Sequence, residues 1–188
     1  MSWFISDIPQ SIEVDNLVIR QYRLTDAPLL VDAVTRSLPE LMQWMPWAKF
    51  EPQTVEQRRE LIEQWVHEWE KKTNFTMGIF LQDECVGGTG FHLRGEDGEL
   101  EIGYWVSTAH TKMGIATRVS AALVDVAFSF AEVEKVTIAH DVANKQSQRI
   151  PELLGFKVSR EFARTPEAPS ETGVARVWSM ARDEWRNR

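Results

Sequence analysis

Thr111-Lys112-Met113-Gly114-Ile115-Ala116-Thr117 opens a segment whose apolar residues Val119, Leu123, Val126 and Phe130 recur at helical spacing. Downstream stand Asn144-Lys145-Gln146-Ser147 and then Leu154-Gly155-Phe156. A glycine at a helix entrance lets the backbone come close to a ligand, because no Cβ intervenes. The first N–H groups of the helix have no partner within it, and its positive dipole end favours an anion. The expected donors are the backbone N–H groups of Lys112, Met113, Gly114, Ile115, Ala116 and Thr117, with the Thr117 hydroxyl beside them. A tight loop before a helix would explain the first run alone. The two segments together point to a phosphate-bearing ligand.

Working outward, Leu17 to Tyr22 alternates as a strand, and Thr25 or Asp26 caps a helix expected to stop near Ser37, because Pro39 follows. A second helix is expected from Thr54 to Lys71, with Val55, Leu61, Ile62, Trp65 and Trp69 on one face and Glu and Arg on the other. Phe75 to Leu81, Val86 to Leu93 and Leu100 to Val106 read as strands joined by polar turns. The helix after Gly114 follows, then a strand from Lys135 to His140 and a short helix at Asn144 that Pro151 should shorten or kink. Phe156 to Phe162 and Val174 to Met180 complete the sheet around a loop at Thr165 to Ser170. This order predicts an α/β (α+β) domain with a mixed, largely antiparallel central sheet flanked by helices.

The 188 residues suit one domain over residues 1–188, and 43% hydrophobic with 26% charged residues is ordinary for a soluble globular chain. No run of about 18 apolar residues exists, so no membrane span is expected. The first residues, Met1 to Asp7, carry no basic region ahead of an apolar core, so no secretory leader is expected. Cys85 is the single cysteine, which excludes an internal disulfide and fits a reducing, cytoplasmic location. Four scattered histidines and that cysteine show no metal-ligand spacing, so no metal is expected. A net charge of −7 argues against direct nucleic-acid binding and suits a cationic acceptor.

These residues resemble the Gcn5-related N-acetyltransferase (GNAT) superfamily. Its acetyl-CoA loop carries Arg or Gln, then Gly, then Gly or Ala, and Gly114 and Ala116 match while Thr111 stands where Arg or Gln is usual. Asn144, Ser147, Leu154, Gly155 and Phe156 match a later family stretch, and Glu101-Ile102-Gly103-Tyr104-Trp105-Val106 looks like the strand ahead of the loop. Leu17 to Arg20, Thr25 to Ala27 and Trp44-Met45-Pro46-Trp47 resemble the branch that acetylates ribosomal-protein N-termini, the RimJ/RimL type. The resemblance implies acetyl-CoA as acyl donor, direct transfer in a ternary complex, and a pantetheine lying where the Trp105 and Val136 strands splay apart.

It also implies roles. Tyr104, Trp105 and Val106 supply cofactor-binding backbone, with the N–H near Val106 holding an oxyanion, and core packing also claims at least one of these side chains. Asn144 contacts the cofactor and can cap its helix. Ser147 protonates the leaving thiolate, against the alternative of a plain helix-surface serine. Glu101 and Glu167 are the candidate bases, each also readable as a solvated carboxylate. Trp44 and Trp47, with Met45 and Phe50, form either an acceptor-pocket lid or packing of the connection. No histidine stands near Cys85 in a catalytic pattern, so it is not expected to carry the acyl group. The leading acceptor is a protein N-terminus; a small-molecule amine or antibiotic is the alternative. A non-catalytic acyl-CoA-binding regulatory domain is the rival class, and either a monomer or a homodimer is compatible.

Overall fold

The computed structural model describes residues 7–187; the N-terminal stretch read as lacking a leader lies, apart from Asp7, outside them. Eight strands build one sheet: β1 Ser11–Val14, β2 Leu17–Gln21, β3 Asn74–Leu81, β4 Glu84–His92, β5 Glu99–Val106, β6 Lys135–Asp141, β7 Lys157–Ala163 and β8 Val174–Ala181. Their spatial order is β1-β2-β3-β4-β5-β6-β8-β7. Every neighbouring pair is antiparallel except β5 and β6. That parallel pair needs a crossover, and α3 (Ile115–Ser129) supplies it. The expected mixed, mainly antiparallel architecture is therefore present.

Helices α1 (Ala27–Trp44) and α2 (Val55–Glu70) cover one face. Tyr22, Leu30, Val34, Ile62 and Phe80 form the core beneath them. On the opposite face α3 lays Val119, Leu123 and Ala127 against Leu100, Ile102, Val136 and Ile138. The short α4 (Lys145–Leu153) follows β6, and α5 (Arg182–Arg186) ends the described chain. Along β5, Tyr104 and Val106 turn to the α3 core and Trp105 to the α1–α2 core, as strand alternation requires.

Three readings need correction. Helix α1 does not stop near Ser37 but runs through Pro39 to Trp44. Pro39 deprives the Thr35 carbonyl of its partner, yet both residues are exposed, so solvent can replace the lost bond while Leu41 is buried. Arg58 does not belong to a solvated face of α2: it is buried, paired with an equally buried Glu51. A further strand, β1, also precedes the expected first strand and pairs with it in a hairpin turning at Asp15, whose φ is 53°.

Pro151 leaves α4 intact through Leu153. The Ser147 carbonyl that proline orphans accepts the Tyr104 hydroxyl at 3.1 Å. The Leu-Gly-Phe stretch ends the helix: Gly155, at φ 72°, takes the left-handed position, and Phe156 N–H donates back to Pro151 O at 2.9 Å. Leu154 and Phe156 then enter the core.

Candidate active site

Strands β5 and β6 share only three rungs, Glu99↔Lys135, Leu100↔Val136 and Glu101↔Thr137. Beyond them β6 keeps β8 as partner along its whole length, while β5 is held only by β4. A gap therefore opens along the last five residues of β5. Ser107 N–H donates to Val86 O at 2.8 Å across the β4 edge. Hydrogen-bonded and open pairs alternate in an antiparallel ladder, so the N–H groups of Trp105 and Gly103 face β4. Those of Val106 and Tyr104 face the gap.

The Gly114 loop lies past the end of this strand. Gly114 has φ 71° and Lys112 φ 64°, both left-handed. This alternation curls the backbone into a concavity of N–H groups. No side chain caps α3, and among the described residues the N–H groups of Lys112 to Thr117 take no protein acceptor. A Cβ built on Gly114 would meet nothing within 4 Å, so the donors open outward. Thr111, in the place of a long polar side chain, spends its hydroxyl on Thr108 O at 3.1 Å.

The second turn, after β6, is wired internally. The Asn144 carboxamide accepts Ser147 N–H at 3.0 Å and caps α4. Asp141 gathers Ala143 N–H, Thr172 N–H, Thr172 Oγ1 and Gly173 N–H at 2.8–3.0 Å. Burial alone would raise its pKa; these four bonds outweigh that and hold the carboxyl at about 2. Next to it, His140 accepts Trp178 Nε1–H at Nε2, 2.8 Å, so its hydrogen sits on Nδ1, bonded to Asp141 O at 2.7 Å. Sequence reasoning did not single out either Asp141 or His140.

On the α1–α2 face, Trp47 packs against Trp105 with ring centroids 6.0 Å apart. Trp44 and Met45 are half-buried and Phe50 is exposed. The buried Arg58–Glu51 pair anchors the chain just after this aromatic segment. The loop between β7 and β8 closes on the same side: Ser170 N–H donates to Gln43 O at 3.1 Å and its hydroxyl to Gln43 Oε1 at 2.8 Å. Glu101 stands at the last shared rung, its carboxyl raised by burial and partly held down by Arg94 at 3.0 Å. Glu167 is exposed on the β7–β8 loop, on a different element. Cys85 is buried and its thiol is pushed up to about 11 by desolvation, which leaves it a core residue. Among the described residues no group of His, Cys, Asp or Glu has the geometry to hold a metal, and no helix is long and apolar enough to cross a membrane.

An outward-facing nest of amides, a strand with one free edge and a capped helix stand at the same end of the parallel pair. Residues 16–157 match the acetyltransferase (GNAT) domain family, and the chain belongs to it. It is an N-acetyltransferase. Among its relatives, the Bacillus subtilis (strain 168) protein named "Putative ribosomal N-acetyltransferase YdaF" is 25% identical over 143 residues, 76% of this chain and 78% of that one. Two solved structures share the fold: the microcin C7 self-immunity acetyltransferase MccE, in complex with acetyl-CoA and AMP, and the ribosomal L7/L12 α-N-protein acetyltransferase RimL, in complex with coenzyme A. The first gives a TM-score of 0.84 at 18% identity over 93% of this chain and 98% of that one. The second gives 0.82 at 19% identity over 94% and 98%.

Proposed function

We propose that this enzyme transfers the acetyl group of acetyl-CoA to the α-amine of a protein N-terminus, by direct attack in a ternary complex. The observation that carries this is the continuity between the free β5 edge and the Gly114 nest. Amide donors run from Tyr104 and Val106 in the gap to Lys112–Thr117 at the α3 entrance. A linear pantetheine ending in a pyrophosphate needs such a sequence of donors, and Gly114 leaves the room a phosphate requires.

Bound acetyl-CoA supplies an acetyl thioester. The Val106 N–H offers a preorganised donor to the oxygen on which charge develops, an effect typically worth ~3 kcal/mol. Ser147, in the first turn of α4, offers its hydroxyl as proton donor to the departing sulfur. The Asn144 cap and the Tyr104–Ser147 bond hold that turn in place. Trp47 and Trp105 form an aromatic wall for the acceptor. The net charge of −7 suits an ammonium-bearing partner. Two comparisons support the protein-terminus reading: the name YdaF carries and the RimL fold.

The test is a panel of ribosomal-protein N-terminal peptides and small-molecule amines, each read by mass for the gain of one acetyl group. Acetylated peptides with untouched small amines support the proposal. Acetylation confined to small amines overturns the acceptor and leaves the donor site standing.

A further inference from the structure

His92 ends β4 directly across the ladder from Glu101. Its Nδ1 lies 2.7 Å from Asn74 Oδ1. The Asn74 amide cannot turn around, because its Nδ2 donates to Glu68 Oε2 at 3.0 Å and to Thr76 Oγ1 at 3.3 Å. Oδ1 is therefore the end presented to the ring, and the imidazole hydrogen must sit on Nδ1. Nε2 is left with its lone pair and takes no hydrogen bond from any described residue.

The ring edge lies over Gly103, where a Cβ would stand 2.9 Å from Nε2. Gly103 is on the free half of β5, just past the last shared rung and next to Tyr104, whose N–H faces the gap. On its outer side the ring lines a surface pocket with Glu68, Thr73, Asn74, Leu93 and Arg94. Glu101, the obvious rival, is engaged by Arg94.

We propose that His92 is the catalytic base of this enzyme, taking a proton at Nε2 through one intervening water from the attacking nitrogen, with Asn74 and Glu68 as its positioning residues. This rests on the amine-acetylation reading above. The protonation sequence follows from the groups present. Burial, and then the Arg94 charge, lower the His92 pKa to about 4 against the opposing pull of Glu68, while Glu101 faces it across the rung. An α-ammonium near 7.7–8.0 would not give its proton to such a base, so it loses the first one to water. The neutral amine then forms the C–N bond, which makes its nitrogen acidic, and His92 takes the second proton. The C–S bond breaks with its electron pair going to sulfur, which takes a proton from Ser147. His92 returns its proton to water and Ser147 recovers one. In sum, one ammonium and one thioester give one amide, one thiol and one released proton.

The test compares the parent with His92→Gln, Asn74→Ala and Gly103→Ala, reading kcat and the acetyl-CoA dissociation constant separately. His92→Gln should lose roughly 10²–10⁴-fold in kcat, typical of lost base catalysis, at unchanged acetyl-CoA affinity. Gly103→Ala, which pushes the ring aside, should move kcat the same way. Nitrogen-15 imidazole spectra of the unliganded parent should show His92 as the neutral Nδ1–H tautomer, protonating only near pH 4. Parental kcat in His92→Gln overturns the proposal, and so does an Nε2–H tautomer. Should His92→Gln fail to fold, Gly103→Ala and the parent spectrum still decide. A parent that acetylates no amine would sink the functional reading instead, and the tautomer would still report on the ring.

Discussion

Two strand-to-helix turns stand side by side at the same end of the parallel pair, and they treat their backbone N–H groups in opposite ways. At the β5–α3 turn, Gly114 and Lys112 take left-handed conformations and no side chain caps the helix, so a row of donors stays free. At the β6–α4 turn, Asn144 and Asp141 satisfy the N–H groups of Ser147, Ala143, Thr172 and Gly173 from within the protein. On the function proposed above, the first turn binds through its backbone and the second holds a side chain, Ser147, in one place.

The contrast breaks most visibly at Ser147. Ser147→Ala should lower kcat by roughly 10²–10⁴-fold if its hydroxyl protonates the leaving sulfur, with little change in acetyl-CoA affinity. Separate measurement of kcat and the dissociation constant checks this, and a parental kcat would return Ser147 to a helix-surface role. Gly114→Asp attacks the other turn by setting a carboxylate against the phosphates. The dissociation constant for acetyl-CoA should rise on the order of 100-fold, about 2.7 kcal/mol, as isothermal titration would read it. The thermal stabilisation that the ligand confers should shrink accordingly.

Asn144→Ala removes a helix cap, so its cost should appear in stability, about 1 kcal/mol by denaturant unfolding. The same change at Gly114 has no cap to remove: Gly114→Ala should cost about 1–2 kcal/mol, because alanine resists the left-handed backbone. If Asn144→Ala weakened acetyl-CoA binding as much as Gly114→Asp, the division of labour between the turns would be wrong.

The last effect shows its pH dependence only in acid. Asp141 has its pKa depressed from the ordinary 3.8 to about 2, so its contribution to stability is complete above 3.8. It should drain away as pH falls through about 2, and Asp141→Asn should flatten that part of the acid-unfolding curve. An unchanged curve would show that the four bonds at Asp141 do not stabilise the fold.

Much of this was legible in the chain, because local chemistry decided it. The strand alternation, the apolar spacing of α3 and the Gly114 and Asn144 turns are all set by neighbours in sequence. Pro39 misled because its effect depends on which face it occupies: Thr35 and Pro39 are both exposed, where water can serve the orphaned carbonyl. The first hairpin left a local trace, Asp15-Asn16 between two short alternating runs, which is turn chemistry of the recognised kind. Arg58 and His92 left none. One is buried by a glutamate outside its helix, and the other is oriented by an asparagine 18 positions upstream. The gap beside β5 is likewise a property of pairing between strands, since β6 stays with β8.

Asp141 carries one more implication, about time. Its partners Thr172 and Gly173 are made 31 and 32 residues after it, and β8, which lies against β6 in the sheet, later still. A ribosome therefore delivers the Gly114 loop, Asn144 and Ser147 well before the strand that braces them. A nascent chain cut short ahead of residue 174 would hold every proposed cofactor-binding and catalytic residue without the frame that aligns them. Competence should arrive late and all at once, when the last strand docks.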